Sequence, residues 1–286
     1  MTTVSMLLRD TTERLARAGI GDARLEADLL WMTALDTDRT HLYAKLQDTP
    51  DQNAMNAAAD LLERRLRHEP VAYLMGHREF FALQFYVAPG VLIPRPETEL
   101  VVEEALRLLH ERLTGRENVS VADIGTGSGA IAVSVAVNCA QATVYASDIS
   151  APALEIAALN AREHGVSDRV RFITGDLLSP IPGPVDLILA NLPYVMSSEV
   201  PTLEPELRLY EPLEAFDGGA DGLVLIGKLL ADAPRYLNKG GAVVLEMDPR
   251  QIDRAKELAL EAFPGATVRI LLDLAGRPRV LVVEHH

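Results

Sequence analysis

The sequence predicts a mixed α/β protein in which a small helical domain precedes a doubly wound, mostly parallel β-sheet. Residues 1–75 show helical periodicity only, and strand and helix patterns alternate from Glu97 onward. The last two strand patterns are separated by a turn that is too short for a helix. The chain has 286 residues, of which 48% are hydrophobic and 24% are charged, which is an ordinary globular composition. Disordered and collagen-like proteins are thereby excluded.

The segment of residues 1–75 is predicted to be a helical domain that recognises a partner. The first helix pattern ends at Gly19, and Asp22 is placed to cap a second helix. A third pattern runs over residues 51–69 and ends before Pro70. This segment contains no grouping of catalytic residues, so a purely structural role is the alternative.

Residues 76–96 are predicted to form a short β-hairpin and a connector, because aromatic and β-branched residues there are bounded by turn residues. Residues 97–286 are predicted to form the sheet domain. Its strand patterns are Val119–Ile124, Thr143–Ser147, Val170–Thr174, Asp186–Ala190, Ala242–Glu246, Val268–Leu272 and Arg279–Val283. Helical patterns separate the first five, which predicts parallel strands, and only Asp273–Pro278 separates the last two, which predicts an antiparallel hairpin. Seven strands with this ending are typical of the methyltransferase form of the Rossmann-like sheet and not of the dehydrogenase form.

The charge balance limits the possible partners. The chain carries 27 basic and 41 acidic residues, and its net charge of −14 disfavours stable binding to nucleic acid. No apolar run reaches the ~18–20 residues of a membrane span, and the charged N-terminal stretch is unlike a signal peptide. The single cysteine excludes an internal disulfide and a cysteine-rich metal site. We therefore expect a cytoplasmic monomer that binds neither a membrane nor a metal.

A glycine-rich turn after the first strand of the sheet is the strongest signal for a nucleotide or nucleoside ligand. The turn consists of Gly125, Thr126, Gly127, Ser128 and Gly129. Glycines let the backbone approach a ligand closely and present N–H groups at the start of a helix. Gly125, Gly127 and Ala130 also fit the G-x-G-x-x-A pattern of dinucleotide sites, so this loop alone does not exclude NAD as the ligand.

Two acidic residues follow the next two strands. Asp148 ends the second strand of the sheet, where a carboxylate can accept hydrogen bonds from both ribose hydroxyls of either cofactor. Its alternative role is to cap the helix that follows Ser150. Asp176 follows the third strand, where it can accept from the exocyclic amine of adenine while Leu177 packs on the ring. The alternative for Asp176 is a solvated turn residue.

The tetrapeptide Asn191-Leu192-Pro193-Tyr194, at the end of the fourth strand, points to methylation of a nitrogen on a planar group. The Asn191 side-chain oxygen and the Leu192 main-chain oxygen can accept the two N–H bonds of an amide. Pro193 pushes Leu192 toward an extended conformation, which aims its carbonyl into the site, and Tyr194 offers an aromatic face. These contacts orient the nitrogen for in-line attack on a sulfonium methyl group. No general base is needed at the outset, because the nitrogen loses its proton after it gains the methyl.

With these motifs the chain resembles the release-factor glutamine methyltransferases, the HemK/PrmC family, over nearly its whole length. The matching stretches are Pro70–Gly76, Pro89–Leu100, Gly125–Gly129, Asn191–Tyr194, Glu211–Pro212, Asp217–Leu223 and Asp273–Arg279. The run Ile93–Glu99, Ile-Pro-Arg-Pro-Glu-Thr-Glu, is the most specific, because similar enzymes that act on a ribosomal protein usually differ there.

The resemblance implies a helical domain, a hairpin linker and a class I S-adenosylmethionine-dependent methyltransferase domain. It also implies methylation at N5 of the glutamine in the Gly-Gly-Gln motif of class I peptide chain release factors, with S-adenosylhomocysteine as product. By the same resemblance, the glycine turn holds the methionine part of the cofactor, Asp148 binds the ribose, and Asp176 and Leu177 border the adenine. The tetrapeptide holds the substrate glutamine, with Asn191 also touching the cofactor.

The same resemblance assigns Arg95 and Glu97 to closing the pocket, but the chain departs from the family pattern at two places. Leu192 stands where the family usually has proline, and leucine there is familiar from ribosomal RNA adenine methyltransferases. Residues 245–249 read Leu-Glu-Met-Asp-Pro, where the family usually has an Ile-Gly pair after the glutamate.

Two other functions therefore remain open. One is N-methylation of another planar nitrogen, either a ribosomal-protein glutamine or adenine N6 of a nucleic acid, although the net charge disfavours the nucleic acid. The other is a non-catalytic cofactor-binding protein, which the intact tetrapeptide disfavours.

Overall fold

The protein is described by a computed structural model that covers residues 2–112 and 116–286. The chain forms two compact units. The first consists of the chain up to His77 together with Glu204–Tyr210, and the second consists of Arg78–Leu203 and Glu211–His286. Among the described residues, no helix is both long enough and apolar enough to cross a lipid bilayer.

The first unit is helical, as the periodicity predicted. Its helices are α1 (Val4–Arg17), α2 (Ala23–Ala34), α3 (Arg39–Ala44), α4 (Gln52–Leu66), α5 (Val71–Met75) and α9 (Pro205–Tyr210). Asp51 caps α4 by accepting a hydrogen bond from the Ala54 amide at 2.8 Å. The capping role predicted for Asp22 is wrong, because its backbone is left-handed (φ 49°) and its side chain accepts no capping hydrogen bond. The short helices α3 and α5 were not predicted, since each is too brief to show a periodic pattern.

A buried ion pair ties α9 to the other helices of the first unit. The Arg65 side chain is only 2% exposed, and its guanidinium contacts Glu26 on α2 and Glu206 on α9, each at 2.5 Å. The Tyr210 hydroxyl also donates to the Arg67 carbonyl oxygen at 2.9 Å. A segment that is distant in sequence therefore belongs to the helical unit.

The remaining elements begin with the predicted hairpin, which is present. They are β1 (His77–Phe80), β2 (Leu83–Tyr86), α6 (Glu99–Arg112), β3 (Val119–Ile124), α7 (Ala130–Asn138), β4 (Ala142–Asp148), α8 (Ala151–Glu163), β5 (Val170–Thr174), β6 (Val185–Ala190), α10 (Val224–Asp232), β7 (Leu237–Glu246), α11 (Ile252–Ala262), β8 (Thr267–Leu272) and β9 (Pro278–Glu284). Phe80 and Phe85 of the hairpin are buried, and they pack into the core of the sheet domain with Val101 and Leu108 of α6. The hairpin therefore contributes to the core of the second unit.

The seven-stranded sheet has the order β5-β4-β3-β6-β7-β9-β8. The first five strands in this order are parallel, and β9 is antiparallel to both β7 and β8. This topology confirms the predicted fold class. The strand order reverses at β3, because β4 lies on one side of it and β6 on the other. In open α/β sheets, ligands bind at the carboxyl ends of the strands beside such a reversal.

One predicted feature of the sheet is wrong. The segment of residues 175–184, which connects β5 to β6, contains turns and no helix. Pro180, Pro182 and Pro184 punctuate this segment, and each lacks the N–H that a helix interior needs. The crossover from β5 to β6 is therefore an open loop, and it carries Asp176 and Leu177.

Candidate active site

A cavity of about 500 Å³ lies at the carboxyl ends of the central strands, within the second unit. Its lining includes ten of the predicted site residues: Gly125, Thr126, Gly127, Ser128, Asp148, Asp176, Leu177, Asn191, Leu192 and Pro193. Gly129 and Tyr194 lie outside the lining. Gly129 is the N-cap of α7, and a Cβ there would stand 3.0 Å from the Cβ of Ala157 on α8, so this glycine permits close packing of the two helices.

The conformation of the glycine turn is set by left-handed backbone at two glycines and by hydrogen bonds to the end of β4. Gly125 and Gly127 have φ values of 71° and 54°, which a glycine adopts without strain. The amides of Gly125 and Thr126 both donate to the Ser147 carbonyl oxygen, at 2.9 and 3.0 Å. A Cβ on Gly125 would lie 3.0 Å from Cδ2 of Leu192, so the turn and the tetrapeptide are in contact.

Asp123, near the end of β3, anchors the glycine turn by hydrogen bonds. The sequence did not single out this residue. Its Oδ2 accepts hydrogen bonds from the Thr126 hydroxyl at 2.6 Å and from the Ala132 amide at 3.1 Å. The residue is fully buried, and this burial raises the pKa of its carboxyl to about 7. The sequence signal available was an acidic residue near the end of a largely apolar strand.

Asp148 holds the turn from the side. Its Oδ2 accepts from the Gly127 amide and its Oδ1 from the Ser150 amide, both at 2.9 Å. The alternative role as a helix cap is wrong, because Ser150 is the N-cap of α8 and its hydroxyl accepts from the Ala153 amide. The Asp148 carboxylate thus lies in the cavity wall in contact with the glycine turn.

The loop after β5 places Asp176 and Leu177 at the cavity. Asp176 is exposed, as its alternative role allowed, although it also lines the cavity. Leu177 has left-handed backbone, with φ 47°, and its carbonyl oxygen accepts from the Ser147 hydroxyl at 3.0 Å. Because leucine rarely adopts this conformation, the surrounding contacts hold it against a cost of about 1–3 kcal/mol.

The tetrapeptide follows β6 directly. Nδ2 of Asn191 donates to Oγ1 of Thr98 at 2.9 Å, while its Oδ1 accepts no hydrogen bond from the described residues. The Leu192 side chain is buried, with 4% exposure, so it packs in the core in addition to offering its carbonyl. The Tyr194 hydroxyl donates to Oε1 of Glu246 at 3.2 Å, and burial together with the Glu246 charge raises the pKa of Tyr194.

A second glycine-rich segment, Asp217–Leu223, packs behind the tetrapeptide. The Gly218 amide donates to the Val195 carbonyl oxygen at 2.8 Å, and a Cβ on Gly222 would stand 2.2 Å from the Tyr194 carbonyl oxygen. Gln251 Nε2 donates to that same Tyr194 oxygen at 2.8 Å. Asp217–Leu223, one of the stretches that match the family, therefore supports the backbone of the tetrapeptide.

Arg95 also lines the cavity, whereas Glu97 does not. Nη2 of Arg95 donates to Oε1 of Glu211 at 2.5 Å, and the other oxygen of Glu211 accepts from the Ile93 amide at 3.0 Å. The buried Glu211 thus fixes the arginine at the wall. Among the described residues, no group of three or more His, Cys, Asp or Glu side chains is placed to hold a metal ion.

Comparison with known proteins identifies the family. Residues 6–76 match the family model of the PrmC N-terminal domain, and residues 98–203 match that of the methyltransferase small domain. A release factor glutamine methyltransferase from Moorella thermoacetica is 41% identical over 97% of this chain and 96% of its own length. The chain belongs to the release factor glutamine methyltransferase family. A second member, from Rhodopirellula baltica, is 37% identical over 99% of this chain and 96% of its own length.

Membership of the release factor glutamine methyltransferase family confirms the resemblance found in the motifs and makes the protein an enzyme of the methyltransferase class. Among solved structures, a methyltransferase from Pyrococcus furiosus is similar with a TM-score of 0.52 and 20% identity, covering 79% of this chain and 98% of its own. At that identity the likeness shows the fold alone.

Proposed function

We propose that this protein transfers the methyl group of S-adenosylmethionine to N5 of the glutamine in the Gly-Gly-Gln motif of class I peptide chain release factors, leaving S-adenosylhomocysteine. The observation that carries the proposal is the hydrogen bonding of the Asn191 side chain. Its amide nitrogen is engaged by Thr98, so its side-chain oxygen is available to a substrate amide in the cavity wall. The names of the relatives support the choice of substrate.

The cavity fits a nucleoside cofactor. Its volume of about 500 Å³ lies in the usual range of small-molecule sites. A side chain on Gly125 would crowd Leu192, so this position is restricted to glycine. A ligand in the cavity would therefore contact the Gly125 backbone directly. We assign the ribose hydroxyls to Asp148 and the adenine to Asp176 and Leu177. When bound, S-adenosylmethionine supplies an electrophilic methyl group on a sulfonium sulfur.

The protein's part in the reaction is to orient a weak nucleophile. The lone pair of a glutamine amide nitrogen is delocalised into its carbonyl group, so correct placement matters more than added basicity. Asn191 Oδ1 and the Leu192 carbonyl oxygen would accept its two N–H bonds and aim the nitrogen at the methyl carbon, and such placement lowers the barrier. Tyr194, anchored on Glu246, supplies the aromatic face in this proposal, and the proton leaves after the methyl has been transferred.

We further propose that the helical unit recognises the release factor. The residues that line the cavity all belong to the second unit, so the helical unit is free for another task. Since release factors act in translation, we expect the enzyme to work in the cytoplasm, as a monomer and without a stable nucleic-acid partner.

Methyl transfer from radiolabelled S-adenosylmethionine, measured side by side on purified release factor, ribosomal proteins and RNA, tests the proposal. We expect label on the release factor only. Asn191→Ala should reduce the rate about a hundredfold to a thousandfold, because it removes one well-placed acceptor. Asn138→Ala, an exposed change at the end of α7, is the matched control and should leave the rate unchanged. Full activity of Asn191→Ala would remove the proposed mechanism.

Leu192→Pro separates glutamine from adenine as the acceptor. If Leu192 acts through its carbonyl, the variant should keep methylating the release factor, at some loss of stability because a buried side chain is removed. Label on RNA in the wild type that disappears in this variant would instead identify a nucleic-acid methyltransferase. Calorimetric titration with S-adenosylmethionine and with NAD completes the test, and binding of NAD alone would contradict the methyltransferase assignment.

A further inference from the structure

Asn160 is a fully buried polar residue of α8, and both ends of its side-chain amide are engaged. Its Oδ1 accepts from the Tyr86 backbone amide at 2.7 Å. Its Nδ2 donates to the Tyr86 carbonyl oxygen at 3.1 Å and to the Ser128 carbonyl oxygen at 2.8 Å. Only the NH₂ end of an amide can face two carbonyl oxygens, so these three hydrogen bonds fix the side chain in one orientation.

The two partners of Asn160 belong to different parts of the cavity wall. Ser128 lies in the glycine turn, is 3% exposed and lines the cavity. Tyr86 ends β2, and the chain that follows it lines the cavity from Gly90 to Leu92. A single side chain therefore joins the glycine turn to the strand that leads into another section of the wall.

The face of α8 that carries Asn160 packs closely against the turn. Ala157 lies three residues earlier on the same face, and a Cβ on Gly129 would stand 3.0 Å from its Cβ. One helical turn after Asn160, the His164 ring lies 2.7 Å from the Gln84 carbonyl oxygen. His164 thus secures α8 to the hairpin, whereas Asn160 reaches both the hairpin and the glycine turn.

We propose that Asn160 is a positioning residue that holds the glycine turn in the shape in which it binds S-adenosylmethionine. The inference rests on the proposed function for the identity of this cofactor. A site that already has its binding shape loses less conformational freedom when the ligand arrives. Without the bond from Asn160, the buried Ser128 carbonyl oxygen lacks this donor, and the turn has to shift to pair it elsewhere.

The expected effect falls on cofactor binding and not on the chemical step. Asn191 and Leu192, which we assign to the acceptor amide, follow β6, whereas Asn160 contacts the turn after β3. Once the cofactor is bound, the acceptor should therefore be oriented as in the wild type.

Two variants remove the amide of Asn160, and a third serves as the control. Asn160→Leu fills the space with an apolar group, whereas Asn160→Ala leaves a gap that water can enter. His164→Ala is the matched control, because it removes a contact between α8 and β2 and keeps the bond from Asn160 to Ser128. Urea unfolding followed by circular dichroism identifies conditions in which each variant is folded.

Cofactor affinity and the rate at saturation distinguish positioning from a merely structural role. By calorimetry, we expect the Kd for S-adenosylmethionine to rise about tenfold to a hundredfold in both Asn160 variants, as for the loss of other groups that orient binding residues, and to stay near the wild-type value in the control. The kcat on the release factor at saturating cofactor should change little. A structural role would lower the unfolding midpoint and leave the Kd of the folded protein unchanged. A wild-type Kd in a folded Asn160 variant would overturn the proposal.

Hydrogen exchange without ligand separates this inference from the proposed function. The Gly125 amide donates to the Ser147 carbonyl oxygen and the Gly127 amide to Asp148, so exchange at these two amides reports the shape of the turn. We expect faster exchange there in both Asn160 variants and wild-type exchange in the control. Unchanged exchange in the Asn160 variants would overturn the inference. If exchange rises as expected but the wild type does not bind S-adenosylmethionine, the proposed function fails and the role of Asn160 in shaping the turn stands.

Discussion

Gly222 supports the tetrapeptide, and replacing it with alanine should damage both stability and activity. An added Cβ would stand 2.2 Å from the Tyr194 carbonyl oxygen and 2.1 Å from Gln251 Nε2, so the backbone has to move by roughly 1 Å to restore ordinary contact distances of about 3.5 Å. The 2.8 Å hydrogen bond from Gln251 to the Tyr194 oxygen is lost in that movement. Because Tyr194 belongs to the tetrapeptide, we expect methyl transfer to fall with stability.

Comparison with Gly276 separates the expected loss of stability of Gly222→Ala into a backbone cost and a packing cost. Gly222 and Gly276 share a φ of +74°, but a Cβ on Gly276 would meet no atom within 4 Å. Alanine costs about 1–2 kcal/mol in this left-handed conformation at either position. At Gly222 overpacking adds about 1–3 kcal/mol, so we expect a total loss of about 2–5 kcal/mol.

Urea unfolding followed by circular dichroism, together with the methyl-transfer assay, measures both effects. Tryptophan fluorescence is unsuitable, because the single tryptophan, Trp31, lies in the first unit. Gly276→Ala should lose about 1–2 kcal/mol and keep its activity. If Gly222→Ala is no less stable than Gly276→Ala and methylates at the same rate, the supporting role assigned to this glycine is wrong.

Three further predictions concern buried or partly buried charges. Asp148→Ala should weaken binding of S-adenosylmethionine about tenfold to a hundredfold by calorimetry, since charge-assisted hydrogen bonds are lost, and unchanged affinity would exclude a ribose contact. Asp123 has a pKa of about 7 when folded and about 3.9 when unfolded, so the folded state keeps a proton that the unfolded state has lost, and stability should decline as pH rises from about 4 to 7. Urea midpoints of Asp123→Asn at several pH values should lack this decline, and an unchanged pH dependence would contradict the assignment. Arg65→Met leaves Glu26 and Glu206 without their buried partner and should cost about 3–5 kcal/mol in tryptophan-detected unfolding, whereas a loss below about 1 kcal/mol would show that water replaces the arginine.

The sheet could be predicted from the sequence because its strands are short apolar runs with clear ends. Residues 185–190 illustrate this, since the whole of β6 is buried and the tetrapeptide marks its end. The alternation of strands and helices predicts a helix between β5 and β6, whereas the structure has an open loop there. The prolines of this loop do not support a helix, so the residues of a connection are a better guide to its structure than the alternation of its neighbours.

The contacts that hold the site could not be predicted in the same way. Thr98 and Asn191 are 93 residues apart in sequence and 2.9 Å apart in space, and no local pattern reports such a pair. The same holds for Gly222, whose need for glycine arises from the Tyr194 carbonyl oxygen beside it. Local patterns identified residues that line the cavity, whereas the residues that orient them depend on tertiary packing.

The assignment of Glu204–Tyr210 to the helical unit has a consequence for how this chain can be cut and recombined. The polypeptide passes from one unit to the other three times, after His77, after Leu203 and after Tyr210. A truncation that begins at Arg78 would leave α9 without the helices on which it packs. A chimera that takes its helical unit from a relative must therefore import both pieces, and substitutions at Arg65 and Glu206 should be inherited together across the family.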